Sequence, residues 1–130
     1  MMALQSCESY DRYDMERGAL RLLCSVLIKP GTRVEICRLL DPGVFVDTLR
    51  RTVFEEIRAL GFVESRRLRE LLPARVTNRG FPGFDLAELL GAKLASEAEI
   101  EKLFESVLRL LEISDPVDPP LFESENDVPN

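Results

Sequence analysis

The sequence predicts an all-α fold, a compact orthogonal bundle of about six helices around a central buried helix, with a disordered acidic tail behind it. Three observations lead there. Over residues 15–29 the polar residues after Glu16 fall only at every fourth position, Arg17, Arg21, Ser25 and Lys29, so Leu20, Leu22, Leu23, Cys24, Val26, Leu27 and Ile28 cover most of a helix with a period of ~3.6 residues. A helix apolar on most sides is buried on most sides, and the others are expected to pack around it. Apolar residues recur at helical spacing again over 47–60 and 97–113, and no segment shows the alternation of a half-buried strand.

The elements follow in order. Residues 1–13 have few apolar residues and read as a flexible arm, with Asp14 placed to cap the central helix. Pro30-Gly31 is expected to stop that helix. Thr32-Arg-Val-Glu35 has the form of a capping box, which predicts a short helix over about 33–40, and Asp41-Pro-Gly43 is a turn cluster. Leu49, Val53, Ile57 and Leu60, widened by Phe54, predict a helix over 47–60 that Gly61 terminates, with Phe45 folding back onto the core. Ser65 is expected to cap a fourth helix that Pro73 ends, and residues 73–84 to form a loop. Asp85-Leu-Ala-Glu88 and Ser96-Glu-Ala-Glu99 are two further start signals. The first opens a short helix closed by Gly91. The second opens a helix over 97–113 whose early glutamates suit the positive end of its dipole.

At 130 residues the length suits one domain, over 14–113, with the tail over 114–130. That tail is proline-rich and polar, and it carries Asp115, Asp118, Glu123, Glu125 and Asp127 without a basic residue. It therefore supplies five of the six net negative charges, and the folded body is close to neutral. Inside the body, arginines crowd residues 50–79 while carboxylates dominate residues 85–105. Such a division can steer association with a partner, and it can equally be a set of solvated helix faces.

Three cysteines without a close pair, and no histidine, exclude a disulfide framework and the usual zinc ligand sets. Cys24 and Cys37 read as buried small hydrophobes. The opening residues have neither the basic region nor the apolar run of a secretory signal, and no stretch approaches the ~20 apolar residues of a membrane span, so a cytoplasmic location is expected. No phosphate-binding glycine loop is present, and there is no histidine base, so no catalytic, cofactor-binding or metal-ligating residue is assigned. Pairs such as Glu55 with Glu56 and Glu97 with Glu101 read as solvated surface. Gly61-Phe-Val-Glu-Ser-Arg-Arg-Leu-Arg69 has the outline of a helix-turn-helix, but its arginines suit phosphate better than base edges. Specific DNA recognition is not expected. A small nucleic-acid-binding regulator using the central arginines is the alternative function.

Three segments in order carry a resemblance. Glu16-Arg-Gly-Ala-Leu-Arg-Leu-Leu23, Phe45-Val-Asp-Thr-Leu-Arg-Arg-Thr-Val-Phe-Glu-Glu-Ile57 and Gly83-Phe-Asp-Leu-Ala-Glu-Leu89 resemble motifs of the N-terminal domain of DnaB-type replicative DNA helicases. Arg21 stands where that family has glycine, Arg50 where histidine is usual, and the tyrosine of the third motif is missing, as is the family's Asn-Ile-x-x-Tyr near Ser96–Leu103. The same fold occurs in the helicase-binding C-terminal domain of bacterial primases, and the sequence does not choose between the two branches. The resemblance implies a non-catalytic protein–protein interaction domain linked to DNA replication, whose partner is a helicase, a primase or a second copy of itself.

Two surfaces are candidates for that contact. Leu110 and Ile113 point away from the inward set of the last helix, and the resembled domain pairs through its C-terminal part, so a weak homodimer through these residues is one expectation. The alternative is that they close the core of a single chain. Arg66, Arg67 and Arg69 of the fourth helix are the other candidates.

Overall fold

With no proline or glycine before Gly18, nothing in the first residues interrupts a helix once it is nucleated. The computed structural model describes the backbone of residues 2–114 and the side chains of residues 12–113, and it begins with one helix, α1, over Met2–Leu23. The segment expected as an arm is therefore helical from Met2 onward, and Asp14 lies inside the helix instead of capping it. The helix also ends six residues before Lys29. Ser25 is the cause: its Oγ accepts the Leu27 amide at 3.0 Å, while its own amide turns to the Leu22 carbonyl at 3.0 Å. Residues 24–29 become a turn, and Val26 and Leu27, expected in the core, are exposed there.

Pro30 does not merely break a helix; it starts one. It occupies the first position of α2, Pro30–Leu39, where its missing amide is harmless. Thr32 and Glu35 thus fall inside α2 and form no capping box, and Lys29 is the N-cap without a side-chain bond. A 3-10 turn, Pro42–Val44, follows, with the Asp41 carboxylate accepting the Gly43 amide at 2.8 Å. In α3, Thr48–Leu60, Asp47 accepts the Arg50 amide at 3.0 Å, and Gly61 terminates the helix at a φ of +62° that glycine alone adopts cheaply.

The fourth helix is longer than expected. α4 spans Ser65–Asn78 with Glu64 as its N-cap, and Pro73 lies within it. An internal proline costs about 3 kcal/mol. Continuing past it places Val76 in the core and lets Arg75 and Arg79 reach Glu56, which offsets that cost. The short α5, Leu86–Leu90, is capped by Asp85, which accepts the Ala87 and Glu88 amides, and Gly91 closes it at a φ of +105°. α6 runs over Glu97–Ser114, and the Ser96 amide donates to Glu99 Oε1 at 3.2 Å. Among the described residues there is no strand, so the fold is all-α with six helices. The acidic tail beyond Ser114 lies outside the described residues.

The second half of α1 is the centre of the bundle, with Ala19, Leu20, Leu22 and Leu23 fully buried, as is Cys24 just after it. α3, α5 and α6 pack against it, α2 and α4 against α3. Phe45 folds back as expected and stacks on Phe54 with ring centroids 4.8 Å apart. α6 approaches α1 at Gly18, where an added Cβ would lie 2.4 Å from Ser106 Oγ.

The polar stripe of α1 is not solvated. Arg17 Nε donates to the Leu89 carbonyl and Arg21 to the Leu90 carbonyl, both at 2.7 Å, so the two guanidiniums hold the C-terminal end of α5, where its dipole is negative. Arg21, expected on the surface, is 13% exposed and pairs with Glu99 at 3.1 Å. Glu16 is fully buried. It accepts from Arg12 at 3.2 Å, from Arg50 at 2.7 Å and from the Val46 amide at 2.9 Å, joining α1 to the segment that leads into α3.

Candidate interaction surface

Where the arginines go decides which surfaces remain for a partner. Arg75 and Arg79 donate to Glu56 at 2.7 and 2.6 Å, and Arg79 also reaches Glu55 at 2.7 Å. Burial would raise the Glu56 carboxyl, but the hydrogen bonds and charges of Arg79 and Arg75 outweigh it and hold the group below the usual carboxylate range. Arg51 donates to the Phe45 carbonyl at 3.1 Å. Arg51, Arg75 and Arg79 therefore face carboxylates and carbonyls of their own neighbourhood, while Arg58 and Arg66 stay exposed.

The sequence-derived candidates fall in three situations. Leu110 is fully buried, so it closes the core within one chain and cannot touch a partner; the surface assignment for it is overturned. The reason is its helical register with Leu103 and Val107, the buried face that α6 turns to α1. Ile113 remains 37% exposed. On α4, Arg66 is exposed, Arg67 pairs with Glu70 at 3.3 Å on the surface, and Arg69 is half-buried and donates to the Cys24 carbonyl at 2.9 Å. Arg69 thus holds the end of α1 in place. Ile113 and the arginines lie on different elements, α6 on α1 and α4 on α3.

A more coherent surface lies at the end of the bundle where the α1–α2 and α3–α4 turns meet. Ser65 Oγ donates to the Ile28 carbonyl at 3.4 Å, and Arg33 reaches from α2 to the Ser65 hydroxyl at 3.0 Å and to the carbonyls of Gly61 and Val63. Around this buried polar knot the apolar side chains turn outward. Val26 and Leu27 are nearly half exposed, and Phe62 is 69% exposed. A cleft of about 350 Å³ between the turns is lined by Val26, Leu27, Pro30, Glu64 and Arg66. Sequence reasoning assigned Val26 and Leu27 to the core and passed over Phe62. The available signal was a large aromatic directly after a glycine terminator, where the chain has left the helix and has no core face to turn to.

The two cysteines among the described side chains are both buried and held as thiols. Burial pushes the Cys24 thiol up to about 12 against the lowering effect of Arg69 and Arg33, and the Cys37 thiol up to about 11. Among the described residues no group of histidine, cysteine or carboxylate side chains could hold a metal ion, and no helix is long and apolar enough to cross a membrane. Compared with known proteins, the chain matches no family model, no curated protein and no solved structure. The helicase resemblance therefore rests on the three sequence segments alone.

Proposed function

We propose that the chain is a non-catalytic protein–protein interaction domain of the kind found at the N-terminus of DnaB-type helicases and in the helicase-binding part of primases, and that it works in DNA replication. The observation that supports an interaction role is the exposed apolar pair Val26 and Leu27 lining the cleft on the α1–α2 turn, with Phe62 exposed on the α3–α4 turn and the two turns tied by hydrogen bonds through Ser65 and Arg33. Exposed apolar side chains in a cleft with an arginine on its rim have the composition of an interface anchor. The order of the three helicase-like segments points the partner toward a replicative helicase, a primase or a second copy of the chain.

Purified helicase and primase from the same source, and the chain alone across a concentration series, should be examined by sedimentation velocity with the parent and with a Leu27→Asp/Phe62→Asp variant. A complex or a dimer that the variant loses while keeping its helical circular dichroism supports the proposal. Association that the variant retains in full would reject this surface. No association of the parent with either protein or with itself would reject the replication reading. An apolar contact should also persist at high salt, whereas phosphate contacts to nucleic acid would weaken steeply.

A further inference from the structure

A buried guanidinium ordinarily faces a carboxylate, because removing a cation from water costs several kcal/mol unless an opposite charge compensates it. Arg33 does not. It is fully buried, its NH1 and NH2 donate only to the Ser65 hydroxyl and the Gly61 and Val63 carbonyls, and its Nε has no acceptor among the described residues. The nearby thiol that could have supplied negative charge, Cys37, is held protonated by burial.

Arg33 lines a groove of about 260 Å³ between α2 and α3, and two further arginines, Arg38 and Arg58, line it as well. No carboxylate does. Arg38 pairs with Glu35 at 3.2 Å, but both side chains are more than half exposed, so that pair is weak and readily exchanged. Arg58 lies over the Phe54 ring, 5.8 Å from its centroid. The remaining walls are Val34, Ile57, Cys37 and Gly61, whose side chains carry no charge. The groove thus combines a buried positive charge without a carboxylate, one guanidinium in an exchangeable surface pair, a second held only over a ring, and an apolar wall. Its volume equals that of about nine waters, at ~30 Å³ each, enough for a short chain and a head group.

We infer that this groove binds a small organic carboxylate. Arg38 and Arg58 would clamp the head group, Arg33 would supply the positive field from behind, and Val34, the partly exposed apolar wall residue over buried Ile57, would cover the apolar stem. A bare inorganic anion would leave the apolar walls without a partner, which is why a carboxylate with a hydrocarbon body fits better. This site does not depend on the partner taken at the bundle end.

The test uses the full chain with isovalerate as the probe, against inorganic phosphate and chloride at matched ionic strength. Thermal melts and methyl NMR of Val34 and Ile57 are the two readouts. Isovalerate in about tenfold excess over its Kd should raise Tm by ~5 °C and shift both methyls saturably, as binding to the folded state alone requires. The Arg38→Ala/Arg58→Ala variant should fold like the parent and lose both effects. Equal effects from chloride, a larger effect from phosphate, no saturable shift in the parent, or an undiminished response in the double variant would each overturn the inference.

Discussion

Arg50 Nε lies 2.7 Å from Glu16 Oε1, and this ion pair joins the middle of α1 to the first turn of α3. Glu16 is fully buried, and its other oxygen takes Arg12 and the Val46 amide, so one carboxylate fixes three parts of the chain. Tyr13 covers the same arginine, with the Arg50 guanidinium carbon 4.7 Å from the ring centroid.

Glu16→Gln should therefore destabilise the domain by about 3 kcal/mol, because it removes the charge that two guanidiniums face while keeping the side chain's shape. Arg38→Ala, which breaks only the exposed pair with Glu35, should stay within ~0.5 kcal/mol. Urea midpoints of the two variants check this. A Glu16→Gln midpoint equal to that of Arg38→Ala would mean that water replaces the carboxylate.

Gly18→Ala tests the approach of α6 to α1. Alanine improves helix propensity by about 1 kcal/mol, yet its Cβ meets Ser106 Oγ at 2.4 Å and Ser106 Cβ at 3.0 Å. The hydroxyl can rotate away, but Cβ cannot, so a net loss of about 1 kcal/mol is expected from the overpacked contact. In a Ser106→Gly background the same substitution should become neutral or stabilising. A double-mutant cycle on thermal melts measures the difference.

Much of the fold was legible from local chemistry. The capped starts at Asp85 and near Ser96, the terminators Gly61 and Gly91, and the inward set Leu103 and Val107 were all set by short-range rules that the structure keeps. What failed was decided by distant partners. Pro73 fits in a helix because Glu56, far along the chain, waits for Arg75 and Arg79. Arg21 belongs inside because α5 presents its terminal carbonyls there. Arg33 was invisible as a core residue, since its partners are backbone carbonyls that no side-chain pattern announces. For the candidate surface the loss was greater. A serine hydroxyl ended α1 early, and that single turn moved Val26 and Leu27 from core to surface.

Acid should weaken the domain through Glu56 first. Its carboxyl is held below the unfolded value of 4.5, so its contribution is complete above that pH and disappears as the pH falls through the lower folded value. Glu99, held down by Arg21 and the Ser96 amide, acts in the same direction. Melting temperatures between pH 6 and pH 2 should thus fall more steeply for the parent than for Glu56→Gln, with the two curves converging in strong acid. Parallel curves across the range would mean that Arg75 and Arg79 do not hold the carboxylate in solution.

The last prediction separates packing from association on α6. Leu110 has no exposed surface, so Leu110→Glu places an unpaired charge in the core, a cost of several kcal/mol against a total of ~5–15 kcal/mol for a domain. It should abolish the helical circular dichroism signal of the monomer. Ile113→Glu and Leu108→Glu, at positions 37% and 57% exposed, should fold with midpoints close to the parent's. Sedimentation of these two folded variants then reports on pairing without the confusion of unfolding. If the parent dimerises and Ile113→Glu alone abolishes the dimer, the end of α6 is the pairing face and the turn surface around Phe62 is left to another partner. If Leu27→Asp/Phe62→Asp abolishes it instead while both α6 variants still dimerise, the bundle end is the pairing face. A Leu110→Glu chain that folds normally would contradict the packing of α6 on α1, and the assignment of both surfaces would fall with it.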